Sequence, residues 1–114
     1  MPACQLTRQQ RRGRAELNLE GAFDGAAGWE LVKRLSEERG EIVLDFSRIA
    51  TFDDYGLAVL AHALHERQGR PVRLAGLRTH QLRMLHYLGV EMSADGLVGQ
   101  GPDPLATQLV AIAR

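Results

Sequence analysis

One cysteine in 114 residues, Cys4, removes two classes of protein at once. A lone thiol forms no internal disulfide and builds no cysteine zinc cluster, so neither staple is open to this chain. Net charge is missing as well, since fourteen Lys and Arg cancel fourteen Asp and Glu. A neutral chain has no overall pull toward nucleic acid or anionic lipid, which leaves charged recognition to local patches. Long apolar runs are absent too. The longest, Leu57 to Leu64, contains His62 and falls far short of the ~20 residues a bilayer helix needs. The opening Met1-Pro2-Ala3-Cys4 has no basic-then-apolar leader, and no repeat, linker or low-complexity tract interrupts the chain. What remains is an ordinary balance, 45% apolar and 25% charged, with length for a single domain over 1–114 and one core. The expectation is a cytoplasmic protein.

The periodicities divide the chain cleanly. Cys4 to Arg8 alternates weakly, as an edge strand does, and Gln9 to Gly13 is polar and ends in glycine, a hairpin turn. Ala15, Leu17 and Leu19 alternate with Glu16, Asn18 and Glu20, which predicts a strand with one buried face. Gly21 to Gly25 breaks that pattern, and Asp24 can cap a helix beginning beyond it. Gly28, Leu31, Val32 and Leu35 fall on one helical stripe that Gly40 stops. Ile42 to Phe46 is nearly continuous apolar sequence, the mark of a central strand. After a loop, Leu57, Leu60, Ala61 and Leu64 repeat the helical stripe up to Gly69. Val72 to Ala75 reads as a strand opened by Pro71, and Arg78 to Leu88 as a helix carrying Leu82, Leu85 and Leu88. Leu97-Val98 suggests a last short strand. Asp103-Pro104 signals a final helix with Leu105, Leu109 and Ile112 on its stripe. The expected fold class is therefore α/β, in the order β-β-α-β-α-β-α-(β)-α. A mixed four- to five-stranded sheet would carry about four helices on one face.

This order and several local motifs resemble the STAS domain, the family of the anti-sigma-factor antagonists, over nearly the whole chain. Leu19 to Asp24 resembles the family's L-x-G-x-L/F-D exit from its second strand. Val43 to Ser47 is similar to its V-x-L-D-L-S central strand, and Thr51 to Leu57 sits where the family carries F-x-D-S-S/T-G-L. Leu74 to Leu77 and Leu85 to Val90 match the family's next strand and helix. The resemblance implies a regulatory protein–protein interaction module, with a kinase-like anti-sigma factor as partner and phosphorylation of a hydroxyl residue as the off-switch. That phosphosite-equivalent position falls on Tyr55, and the serine before it on Asp54. Both depart from the pattern, so switching by serine phosphorylation is not expected. Other roles met in modules of this type are an accessory subunit of a lipid-transport ATPase complex and a small-ligand sensor.

The residues themselves support a docking turn better than a catalytic one. Asp53-Asp54-Tyr55-Gly56 comes after a buried strand and opens a helix, at the strand carboxyl ends where α/β sheets favour recognition. Two carboxylates there repel phosphate, against the usual anion preference of a helix start. One of them caps the helix and the other meets its dipole, worth roughly 0.5–2 and 0.3–1 kcal/mol. Gly56 suits close packing. Tyr55 is either a half-exposed aromatic at a helix start or an interface anchor, with a large apolar face and a polar tip. The partner-binding surface expected from the resemblance is Phe52, Asp53, Asp54, Tyr55, Gly56, Leu57, Ala58, Val59 and His62, with His65 on the flank.

Other chemistry finds little support. His62 and His65 share a helix face with Glu66 behind them, but neither a third ligand nor H-E-x-x-H is present, and no metal or other cofactor is expected. His80 and His86 have no evident partner. Arg8, Arg11, Arg12 and Arg14 crowd the first hairpin without interleaved aromatics, as a solvated turn does, so no nucleic-acid partner is expected. Trp29 lies beside the first helical stripe, at core or rim. Adjacent Asp53 and Asp54 diverge, Ser47 and Thr51 have no visible base, and no G-x-S-x-G, P-loop or G-x-G-x-x-G occurs, so the chain is not expected to be an enzyme.

Overall fold

The computed structural model describes residues 4–67, 70–93 and 108–113. The first two strands, β1 (Gln5–Arg11) and β2 (Arg14–Phe23), pair antiparallel in a hairpin whose loop is Arg12-Gly13. Both loop residues have positive φ, 48° and 81°, the backbone of a two-residue turn that matches the strand twist. Then come α1 (Gly25–Glu37), β3 (Glu41–Phe52), α2 (Asp54–Glu66), β4 (Val72–Ala75), α3 (Thr79–Tyr87), β5 (Val90–Ser93) and β6 (Gln108–Ala113). The sheet order is β1-β2-β3-β4-β6-β5, parallel across β2-β3-β4 and antiparallel at both flanks. The fold class is α/β with a mixed sheet, as the alternation of elements requires.

Alternation along the strands sets the two faces. Leu17, Leu19, Ile42, Leu44, Phe46 and Leu74 share one buried cluster with Leu31 and Leu35 of α1, Leu57, Leu60 and Leu64 of α2, and Leu85 of α3. Burying each such side chain contributes about 1.5–3 kcal/mol, so this interleaved layer is the principal stabilising term. The opposite face is polar. There Arg73 Nε donates to Glu41 Oε1 at 2.8 Å, and Ser47 N donates to Asp45 Oδ1 at 2.9 Å.

Three features differ from the sequence reading. β2 and β3 continue past Leu19 and Phe46 to Phe23 and Phe52, in place of the expected loops, and the two extensions pair with each other. Bulges at Asn18/Glu20 and Gly21/Ala22 interrupt the period of two, which hides the continuation. The expected final helix is corrected over Gln108–Ala113, which is a strand lying between β4 and β5. Its short apolar run carries Val110 and Ile112, and periodicity does not separate strand from helix at that length. Backbone pairing on both sides decides. Among the described residues there are thus six strands and three helices; Leu97-Val98 and Asp103 to Leu105 lie outside those residues.

A buried cation ties the helix ends together. Arg67, 3% exposed, donates from Nη1 to the carbonyls of Leu35 and Glu38 at 3.1 and 3.2 Å, and from Nη2 to Gly40 at 3.4 Å. It thereby adds a second donor to the Leu35 carbonyl, which also accepts from the Glu38 N–H, and satisfies carbonyls just beyond α1. Burial pulls the Arg67 guanidinium below its ordinary value, with the charge of Arg70 adding to the effect.

Candidate functional site

Two helix starts lie side by side because two strand ends do. Phe23 pairs with Phe52, so α1 and α2 begin at adjacent points of the sheet. The Asp53 amide donates to the Phe23 carbonyl at 2.9 Å, which fixes one start against the other. Each helix is capped by the aspartate before it. Asp24 accepts from Ala27 N at 2.9 Å, and Asp53 accepts from Tyr55 N at 3.3 Å. Asp54, in the first turn of α2, points to solvent and meets the positive end of the dipole. Phe23, Phe46 and Phe52 pack edge-to-face and tilted, with centroids 5.4 to 5.9 Å apart.

Glycines set how closely the helices approach. A Cβ on Gly56 would lie 2.9 Å from the carbonyls of both Phe23 and Asp24, and one on Gly28 would lie 2.7 Å from Val59 Cβ. A Cβ on Gly25 would strike the Tyr55 ring. The absence of a side chain at Gly25 therefore lets one edge of the phenol ring sit against the start of α1. There its Oη accepts from Trp29 Nε1 at 3.2 Å. The Trp29 ring in turn meets His62 edge-on at 5.4 Å. Tyr55 is 58% exposed and Trp29 48%, so two large aromatics are held together at the surface.

The expected surface residues separate into two groups. Asp53, Asp54, Tyr55 and His62 are exposed, and Ala58 and Phe52 are half-buried. Gly56, Leu57 and Val59 are buried, which corrects their assignment to a contact surface: they pack the turn from beneath. The histidines do not converge. His62 faces Glu66 at 3.3 Å, while His65 Nε2 lies 3.2 Å from the Leu88 carbonyl. His80 does have a neighbour, the Asp54 carboxylate at 4.0 Å. Among the described residues no three His, Cys, Asp or Glu side chains are grouped to hold a metal ion.

A family model described as Mlab, STAS domain, matches residues 6–99. The chain belongs to this STAS family. Comparison with curated proteins gave no match. Asp54 and Tyr55, at the turn that opens α2, stand where the motif resemblance places hydroxyl residues. STAS domains commonly mediate protein–protein interaction, and among the described residues of this one no helix is long and apolar enough to cross a membrane.

Sequence reasoning left Trp29 between core and rim and did not join it to Tyr55, 26 residues away. The available signal was the glycine spacing. Gly25 opens α1 and Gly28 lies one turn in, where glycine costs about 1 kcal/mol relative to alanine, so Gly28 implies a close neighbour.

Proposed function

We propose that this STAS domain is a non-catalytic docking module that holds a protein partner on the ridge of Trp29 and Tyr55, and that serine or threonine phosphorylation at the head of α2 does not gate it. The observation that carries the reading is Tyr55 itself, exposed yet tethered to Trp29 at the switch position. Trp and Tyr dominate the energy of protein interfaces, and a tethered ring loses less freedom on binding. A kinase site shaped for a small aliphatic hydroxyl does not accept a rigid phenol. Nor does one carboxylate at Asp54 imitate a phosphoserine, which carries about −1.5 to −2 charge and three acceptor oxygens. Docking is therefore constitutive. Asp53 is occupied as a cap and Asp54 stands in solvent, an arrangement that supports recognition and not acid–base chemistry.

Two partners suit such a module. One is a kinase-like anti-sigma factor, as for the antagonists that the motifs resemble. The other is a lipid-transport ATPase on which the domain is an accessory subunit, and the lost hydroxyl favours it, since a permanent subunit needs no phosphorylation. Affinity purification of the tagged full chain from its own cells distinguishes them by the identity of the co-purifying protein. Retained binding after Trp29→Ala and Tyr55→Ser together would remove the ridge from the interface.

A further inference from the structure

We propose that the open face of the sheet carries a second site, a hollow over β1, β2 and β3 that binds a small neutral polyhydroxy compound, a sugar or cyclitol. The hollow has a volume of about 330 Å³. Thr7, Asn18 and Asp45 form one row across it by strand register, and Glu20, Ser47 and Arg48 line it beside them. Its shape comes from an irregularity in the strands. Asn18 pairs with Asp45 and Glu20 with Arg48, so two residues of β3, Phe46 and Ser47, stand opposite Leu19 alone. Such a bulge re-aims side chains, and bulges are enriched beside functional sites. Here Ser47 and Arg48, consecutive in sequence, both line the hollow, where an unbroken strand would turn them to opposite faces. Gly76, just past β4, packs directly on the bulge: a Cβ there would strike the Ser47 backbone.

The groups in the hollow are set but not spent. Ser47 N donates to Asp45 Oδ1 at 2.9 Å, which orients the carboxylate and leaves its other oxygen without a partner among the described residues. Gln9, also in the lining, accepts from Arg11 Nη2 at 3.1 Å, so its amide N–H groups remain to donate. Charge and polarity then select the occupant. Glu20 and Arg48 lie 3.9 Å apart and offset each other, and a small anion would meet the carboxylates of Glu20 and Asp45. A metal ion or ammonium would find one open oxygen on Asp45 and the Arg48 cation in the same hollow. An apolar compound would strip water from hydroxyl, amide and carboxylate groups and return no hydrogen bond. A neutral polyol suits every group. Each of its hydroxyls donates one hydrogen bond and accepts others, matching acceptors on Asp45 and Glu20 and donors on Gln9, Asn18 and Arg48. Ligand pockets span roughly 300–1,000 Å³, and this volume at the lower end fits an occupant of monosaccharide size.

Amide-shift titration of the isotope-labelled full chain with D-glucose, myo-inositol and ribitol tests this, with sodium acetate and putrescine as charged controls. Saturable shifts centred on Thr7, Asn18, Asp45, Ser47 and Arg48 are expected with at least one of the three polyols. The dissociation constant should be millimolar, because each exposed hydrogen bond contributes little net affinity. Asn18→Ala and Asp45→Asn should each weaken binding about 3- to 10-fold at an unchanged melting temperature, the worth of one hydrogen bond. Thr7→Val, on the exposed edge strand, repeats the test where Asp45→Asn disturbs the bulge. Shifts that stay linear and spread over the surface with all three polyols, or that saturate only with acetate or putrescine, overturn the proposal. So does polyol binding that these variants leave unchanged. Partner docking through Trp29 and Tyr55 stands or falls separately, since neither residue lines the hollow.

Discussion

Trp29 is the residue on which recognition and structure are most easily separated. Half of its surface is in solvent, so its removal takes little from the core, while its indole N–H positions the Tyr55 phenol. Trp29→Phe should keep the fold and weaken partner binding about 2- to 10-fold, the worth of one hydrogen bond. Trp29→Ala should weaken it by about 30-fold or more, as at an aromatic hot spot. Titration calorimetry against the purified partner reads both, and an unchanged melting temperature shows that the loss is one of recognition. It is also the chain's single tryptophan, so its fluorescence reports directly on whether a partner desolvates the ridge.

The seam between α1 and α2 is decided at the scale of elements. Gly56 faces backbone carbonyls that cannot swing aside, unlike the far end of a flexible side chain. Gly56→Ala should therefore destabilise the domain by about 1–3 kcal/mol, in spite of the higher helix propensity of alanine, in urea unfolding at fixed m-value. At the opposite end of the same helix pair, Arg67→Met removes the guanidinium donor from the carbonyls of Glu38 and Gly40 and one of two donors from that of Leu35, which keeps the Glu38 N–H. The expected loss is at least about 2 kcal/mol, with faster amide exchange in the last turn of α1. Neither change touches the exposed ring faces. A partner affinity that falls in Gly56→Ala at full folding would show that the seam also aims Tyr55.

Across the whole molecule, the hairpin is fastened to the helical layer by Arg8 on β1 and Glu38 after α1, whose second contact, Arg8 Nη2 to Glu38 Oε2, measures 3.1 Å. The Arg8 hydrogen bond holds the Glu38 carboxyl below the usual carboxylate range. A carboxylate depressed in the folded state contributes stability above its unfolded value, and that contribution disappears as pH falls through the folded one. Arg8→Met should thus destabilise the domain at pH 7 and make little difference below about pH 3, in paired denaturation curves at both values. The sheet has a second dependence. Among the described residues, β5 pairs with β6, and β6 also covers β4. Deleting residues 108–114 should leave β4 an open edge beside the core and give an aggregating product in size-exclusion chromatography.

The amino-acid sequence determined the alternation of strands and helices through β4 and α3, the leucine stripes that became the core, and the capping aspartates. Each rests on interactions within a few residues, where side-chain period and backbone geometry are coupled. It also located the acidic turn and the phenol of Tyr55 in place of a small aliphatic hydroxyl. Only the tertiary structure decided that Gln108–Ala113 is a strand, because that segment takes its conformation from β4 and β5 and not from its own pattern. The same holds for Leu57 and Val59, which are apolar on either reading and are buried in the fold, Val59 against Gly28 of α1, and for Trp29 and Tyr55, which meet because glycines let two distant helices touch. Local preference is set along the chain; what covers a face or completes a hydrogen bond depends on a neighbour brought by the fold.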